Sequence, residues 1–151
     1  MLSLTKKALC VICLGLIGCG GDPAAVAPDS GVSDLAQHAG APLFEGMGAF
    51  HMPVTTADPD AQRYFDQGMV LAFGFNHAES IRSFRAAQTL DPDCAMCFWG
   101  EALATGPNIN VTSNGKAIMS ADERAGARAA IDKALGLLEG LTEKERDWIL
   151  A

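Results

Sequence analysis

The amino-acid sequence predicts an all-α fold of stacked helical hairpins behind an export leader and a tether. Three observations predict it. From Asp58 onward the apolar residues recur at helical spacing, and no strand pattern interrupts them. Helix-start signals recur in the same stretch: Asp58-Pro59, Asn76 before His77-Ala-Glu79, Ser120-Ala-Asp-Glu123 and Thr142-Glu-Lys-Glu145. Breaks at Asp91-Pro92, Gly106-Pro107 and Gly140 divide the stretch into lengths suited to single helices.

The chain opens with a positively charged segment ending in Lys6-Lys7, and an uncharged, mostly apolar run follows from Ala8 to Ile17. That run suits a signal-peptide core and falls short of the about 20 apolar residues that span a bilayer. It ends in Leu16-Ile17-Gly18-Cys19, which resembles a lipoprotein cleavage box. The small residue admits the peptidase to the backbone, and the Cys19 thiol carries the acyl glycerol. Cys19 is therefore the expected lipid-attachment residue, while Cys10 and Cys13 leave with the leader. Gly20 after the cysteine resembles the sorting signal for the outer membrane, so an exported, lipid-anchored location in the cell envelope is expected.

Loss of Lys6 and Lys7 takes the formal charge from −7 to −9. Such an acidic chain is a poor partner for nucleic acid and gains nothing from anionic lipid. Membrane attachment then rests on the acyl chains, at about 0.8 kcal/mol per buried CH₂.

The sequence divides into leader 1–18, linker 19–45, strap 46–57 and helical domain 58–151. Gly, Ala, Pro, Asp and Ser dominate from Gly20 to Ala41, which predicts a flexible tether with His38 solvated on it. Phe50-His51-Met52-Pro53-Val54-Thr55-Thr56 is apolar without helical period, and Pro53 extends Met52. An extended strap against the helices is expected there.

Tyr64, Gly68, Leu71, Ala72 and Phe75 share one face of the first domain helix, and Ile81, Phe84, Ala87 and Leu90 share one face of the second. The third starts near Asp93 and breaks at Gly106-Pro107, with a loop from Ile109 to Met119. The fourth carries Ala127, Ala130, Ile131, Ala134, Leu135 and Leu138 as its buried stripe and closes at Gly140. A fifth runs from about Glu143 through Trp148-Ile149-Leu150-Ala151, an apolar end that needs a covering helix. The reading is the first section of a longer solenoid, with a dimer contact as the alternative.

Tyr64-x-x-x-Gly68, Leu71, Ser80-x-x-x-Phe84, Ala87 and Leu90-Asp91-Pro92 resemble a tetratricopeptide repeat of about 34 residues. A second unit would begin at Ala95, with Phe98-Trp99 as its aromatic pair and Ala102 at its small position. The segments PVTT, AQRYFDQG, FNHAESIRSF, LDPDCAM and GPNIN between Pro53 and Asn110 also resemble a family of larger exported bacterial tetratricopeptide proteins. That likeness covers about half the chain and implies fold and extent more than activity.

Cys94-Ala-Met-Cys97 is the sharpest chemical feature. In an oxidising compartment it reads as a structural pair (including a local disulfide), as part of a metal site, or as a redox pair with Cys94 activated by a helix start. A metal ion needs further ligands, for which His51 and His77 are candidates, though each is equally a capping or packing residue. Phe98 stands where a c-type haem motif needs histidine, and no strands offer a thioredoxin framework. No phosphate loop, serine elbow or HExxH motif occurs, and no catalytic constellation is recognised. The expected function is binding of a protein or peptide partner in a groove lined by Gln67 and Asn76, with Asn108 and Asn110 on a loop beside it. The alternative is an exported metal-binding or thiol-redox protein built on Cys94 and Cys97.

Overall fold

Every helix of the domain begins where a side chain can take up free N–H groups. The computed structural model describes residues 30–107 and 119–151, with side-chain surroundings from Asp34 onward. Six helices lie in these residues: α1 Ser30–Ala39, α2 Pro59–Phe73, α3 His77–Leu90, α4 Ala95–Thr105, α5 Ala121–Leu135 and α6 Glu143–Leu150. Asp58 caps α2 by accepting from the Asp60 N–H at 2.7 Å, and Pro59 fills the first position, where no N–H is needed. Ser120 and Thr142 open α5 and α6 with reciprocal bonds to Glu123 and Glu145. The all-α expectation therefore holds, and no strand occurs among the described residues. None of these helices is long and apolar enough to cross a membrane.

Consecutive helices pack as neighbours, α2 on α3, α3 on α4 and α4 on α5. Their common core holds Tyr64, Phe65 and Met69 from α2, Phe84 and Ala87 from α3, and Met96 from α4, all fully or almost fully buried. Phe84 is the centre of this packing. A Cβ added at Gly68 would lie 2.7 Å from its ring, and one added at Gly100 would lie closer still. The ring is thus held between α2 and α4 because both helices present bare backbone to it. Phe65 adds an edge-on contact, with ring centroids 5.6 Å apart.

Several expectations change. The linker read over 19–45 is not a tether throughout: Ser30–Ala39 is helical, and Ala39 and Ala41 are buried. The Tyr64 hydroxyl donates to the Ala41 carbonyl at 2.6 Å, so a tertiary contact orders a stretch whose composition alone would not. His38 is exposed, as expected. Phe75 does not extend the buried face of α2. That helix ends at Phe73, and Phe75 adopts φ 61° in the turn, where it is exposed. The Asn76 N–H bonds back to Leu71 O and the Phe75 N–H to Ala72 O, the pattern of a left-handed helix stop. α5 closes at Gly136 rather than Gly140, since the Gly136 N–H already returns to Asp132 O. Of its expected stripe, Ala130 and Ala134 are buried while Leu135 is exposed.

Candidate functional site: an aromatic groove beside the strap

Along α2 stand Gln62 and Asp66 and, deeper, the buried Gln67, and these polar side chains serve the preceding segment as a neighbouring strand would. Asp66 accepts from the Met52 N–H at 3.0 Å, and Gln62 accepts from the Val54 N–H at 3.0 Å while its amide donates to Met52 O at 2.9 Å. Gln67 accepts from the Phe44 N–H at 2.7 Å and donates to Pro42 O and Ser83 Oγ. An irregular segment keeps its buried backbone polar groups paired in this way without forming a sheet. Burial alternates from His51 to Asp58, with Met52, Val54 and Thr56 turned inward. The extended strap expected at 46–57 has this character from His51 onward, whereas Gly46 and Gly48 take positive φ and turn the chain before it.

The strap continues past α2. The Thr55 N–H and hydroxyl donate to the two carboxylate oxygens of Glu145, the hydroxyl at 2.7 Å. The Thr56 hydroxyl and the Ala57 N–H donate to Asp91 Oδ2, the latter at 2.9 Å. Burial pushes both carboxyl groups up, but the bonds donated to their charged forms outweigh it. Thr55 and Thr142 hold Glu145 below the usual carboxylate range, and Thr56, Ala57 and Asp93 do so for Asp91.

Between α1, the Leu43–Phe50 segment and α2 lies a groove of about 350 Å³. Leu35, Leu43, Phe44, Met47, Phe50 and Val70 form its apolar lining, with Arg63 and Glu45 at its polar margin. Phe44 and Phe50 remain 43% and 44% exposed. Gly46 and Gly48 take φ 73° and 84°, which lets the segment curl so that both rings reach one cleft. Buried Tyr64 stands beneath. Burial, opposed by Arg63 and aided by Asp60, pushes its phenol pKa up, so it serves as a neutral donor.

The expected site residues fall apart spatially. Gln67 touches this groove, but it is 5% exposed and its amide is spent on Pro42, Phe44 and Ser83, so it holds the segment before the strap instead of offering itself to a partner. Asn76 is exposed and caps α3 by accepting from the Glu79 N–H. Cys19, Asn108 and Asn110 lie outside the described residues. Cys94 and Cys97 form a disulfide with Cα atoms 5.4 Å apart, and both are fully buried. Cys94 also caps α4 by accepting from the Cys97 N–H at 3.2 Å. The pair is bridged, as the local-disulfide reading has it, and neither sulfur carries a free thiol in this form.

Neither histidine is brought to the cysteines. His51 bonds through Nδ1 to Asp66 at 2.8 Å, and His77 lies beside the Phe75 ring with both nitrogens buried and unpaired. No group of three or more potential metal ligands converges among the described residues. The sequence reading missed Phe44 and Asp66, and it gave Phe50, Asp91 and Glu145 only local roles in the strap, a helix exit and a capping box. A partial signal was present for the strap: Gln62 and Asp66 stand one turn apart on α2, and Thr55-Thr56 puts two hydroxyls on an extended segment. No protein-family model, no curated protein and no solved structure matches the chain.

Proposed function

We propose that this chain is a lipid-anchored, tetratricopeptide-type scaffold of the bacterial cell envelope that binds a protein or peptide partner. The observation that carries the reading is the groove between α1, the strap and α2, in which two half-exposed phenylalanines converge with a cation and a carboxylate at the margin. Aromatic anchors in a preformed cleft, flanked by a few polar groups, suit the capture of an extended peptide with one or two apolar side chains. The finer fold assignment is supported by the order of the helices and by the close approach of Gly68 and Gly100 to Phe84. The repeat pattern places a small residue at Gly68 and an aromatic at Phe84, while Gly100 stands two residues before the small position of the second unit, Ala102. The anchor rests on the sequence around Cys19. Such a tether would hold the groove near the membrane and raise the local concentration of envelope partners.

Selection of displayed peptides on the purified mature chain tests the binding reading. Related apolar-anchored sequences should emerge, and Phe50→Asp should weaken them by about tenfold or more with Tm unchanged, since hot-spot aromatics contribute roughly 2 kcal/mol or more. Binders indifferent to Phe44 and Phe50 would overturn it. For the anchor, incorporation of a labelled fatty acid should vanish in Cys19→Ala.

A further inference from the structure

One continuous segment both lines the groove and grips α6. Phe44, Met47 and Phe50 face the cleft. His51, Met52 and Val54 are then pinned to Asp66 and Gln62 of α2. Thr55 crosses to Glu145, 90 residues away in the chain, and Ala57 to Asp91. Glu145 is 3% exposed and takes bonds from Thr142 as well, so Thr55 grips the residue that closes the capping box of α6. With eight residues, α6 is far below the length at which a helix is stable alone. Its order is drawn from Ile149, from the Trp99–Trp148 ring pair 5.1 Å apart, and from this polar clamp.

We propose that the strap couples the groove to α6, with Thr55 as the positioning residue, so that a peptide held against Phe44 and Phe50 and the docked state of α6 stabilise each other. The peptide half rests on the groove being a binding site. The mechanical half does not. A peptide that immobilises the Phe44–Phe50 stretch removes freedom from the same backbone whose next residues hold Glu145, and linkage makes the effect mutual. The two rings of Trp99 and Trp148 sit on the far side of this connection, and they are the chain's two tryptophans, so their fluorescence reads α6 directly.

The test uses hydrogen exchange and acrylamide quenching on the full mature chain. Thr55→Val removes one hydroxyl, and Glu145→Gln removes the charge while keeping a residue that still completes the capping box. In both variants, amides of α6 and of strap residues 51–57 should exchange about tenfold faster, as loss of a bond to a charged group implies. Tryptophan quenching should rise, and the protection of α2 and α3 should persist. Faster exchange in α6 with an unchanged strap, or no change in either, overturns the coupling. If Glu145→Gln loses core protection altogether, Thr55→Val decides. A groove-selected peptide should lower tryptophan quenching in the native chain and lose that effect in Thr55→Val. A peptide that binds without altering quenching overturns the coupling and leaves the groove reading standing. A chain that shows the exchange coupling but binds no peptide overturns the groove reading and supports the strap–α6 link.

Discussion

The α2–α3 side of the helical stack and its α4–α6 side are finished in opposite ways. Over α2 and α3 lie α1 and the strap, and the chain there is held by side chain to backbone bonds: Tyr64 to Ala41, Gln67 to Pro42 and Phe44, Gln62 and Asp66 to Met52 and Val54. On α4 and α6, Leu103, Trp148 and Leu150 stay 45%, 40% and 63% exposed, and Trp99 and Trp148 line a shallow hollow with Asp147. The difference shows that an irregular segment can cover a helix face as effectively as another helix does. It needs polar side chains set along that face to replace the hydrogen bonds a helix would make within itself. Among the described residues α6 shows no such polar row, and Ile149, the Trp99–Trp148 ring pair and the strap clamp at Glu145 hold it.

Phe84 stands between the two sides, and removing it tests whether they belong to one cooperative unit. Phe84→Ala should cost about 3–5 kcal/mol and lower the melting of both sides together in calorimetry. Two separated transitions would break the premise of one stack. Gly100→Ala strikes the same point from the other direction. The ring cannot retreat, because Gly68 bounds its opposite face, so a loss of about 1–3 kcal/mol is expected despite alanine's better helix propensity.

Gln67→Ala attacks the covered side alone. It leaves the Phe44 N–H and the Pro42 carbonyl short of a partner, at about 1–3 kcal/mol, while the Ser83 hydroxyl keeps its bond to Glu79 O. Exchange should quicken over α1 and residues 41–45 while tryptophan fluorescence stays constant. A changed fluorescence would mean that the sides are less separable than the contacts imply.

Acid probes the clamp that joins them. Glu145 and Asp91 are held below their ordinary values of 4.5 and 3.8, so their contribution is complete above those values and is lost as pH falls through the lower folded ones. Tm should therefore be flat near neutrality and decline below about pH 4.5, with a shallower decline in Glu145→Gln. The smallest effect belongs to the open side. Trp148→Ala removes an edge-on ring pair worth about 0.5–1.5 kcal/mol from a residue already 40% exposed, and differential scanning should show a shift of a few degrees at most.

Much of the helical domain is legible in the residues. The caps at Asp58, Asn76, Ser120 and Thr142 act within four residues of themselves, and each stands where its spacing places it. Gly68 and Phe84 were singled out as a small residue and an aromatic of the repeat pattern, though their contact was not read from it. Gly140 misled, because three consecutive carbonyls of α5 were already within reach of the Gly136 N–H, a nearer exit that periodicity does not weigh. Phe75 misled because helical spacing continues through a residue that the backbone has turned left-handed. Of the candidate site little could be read in advance, since Phe44, Phe50 and Arg63 meet only after the strap has folded back on α2.

By itself the sequence determined the class of the fold and the starts of its helices, because both depend on short-range bonds and on apolar spacing within one turn or two. It also singled out the Cys94–Cys97 pair, whose three-residue separation already allows a bridge. Only the tertiary structure decided that the presumed tether contributes α1, that Gln67 is spent inside the protein, and that Thr55 finds Glu145. Those outcomes turn on contacts between residues 16 to 90 positions apart. Such contacts depend on where packing of the helices brings distant surfaces together, and no local pattern records that.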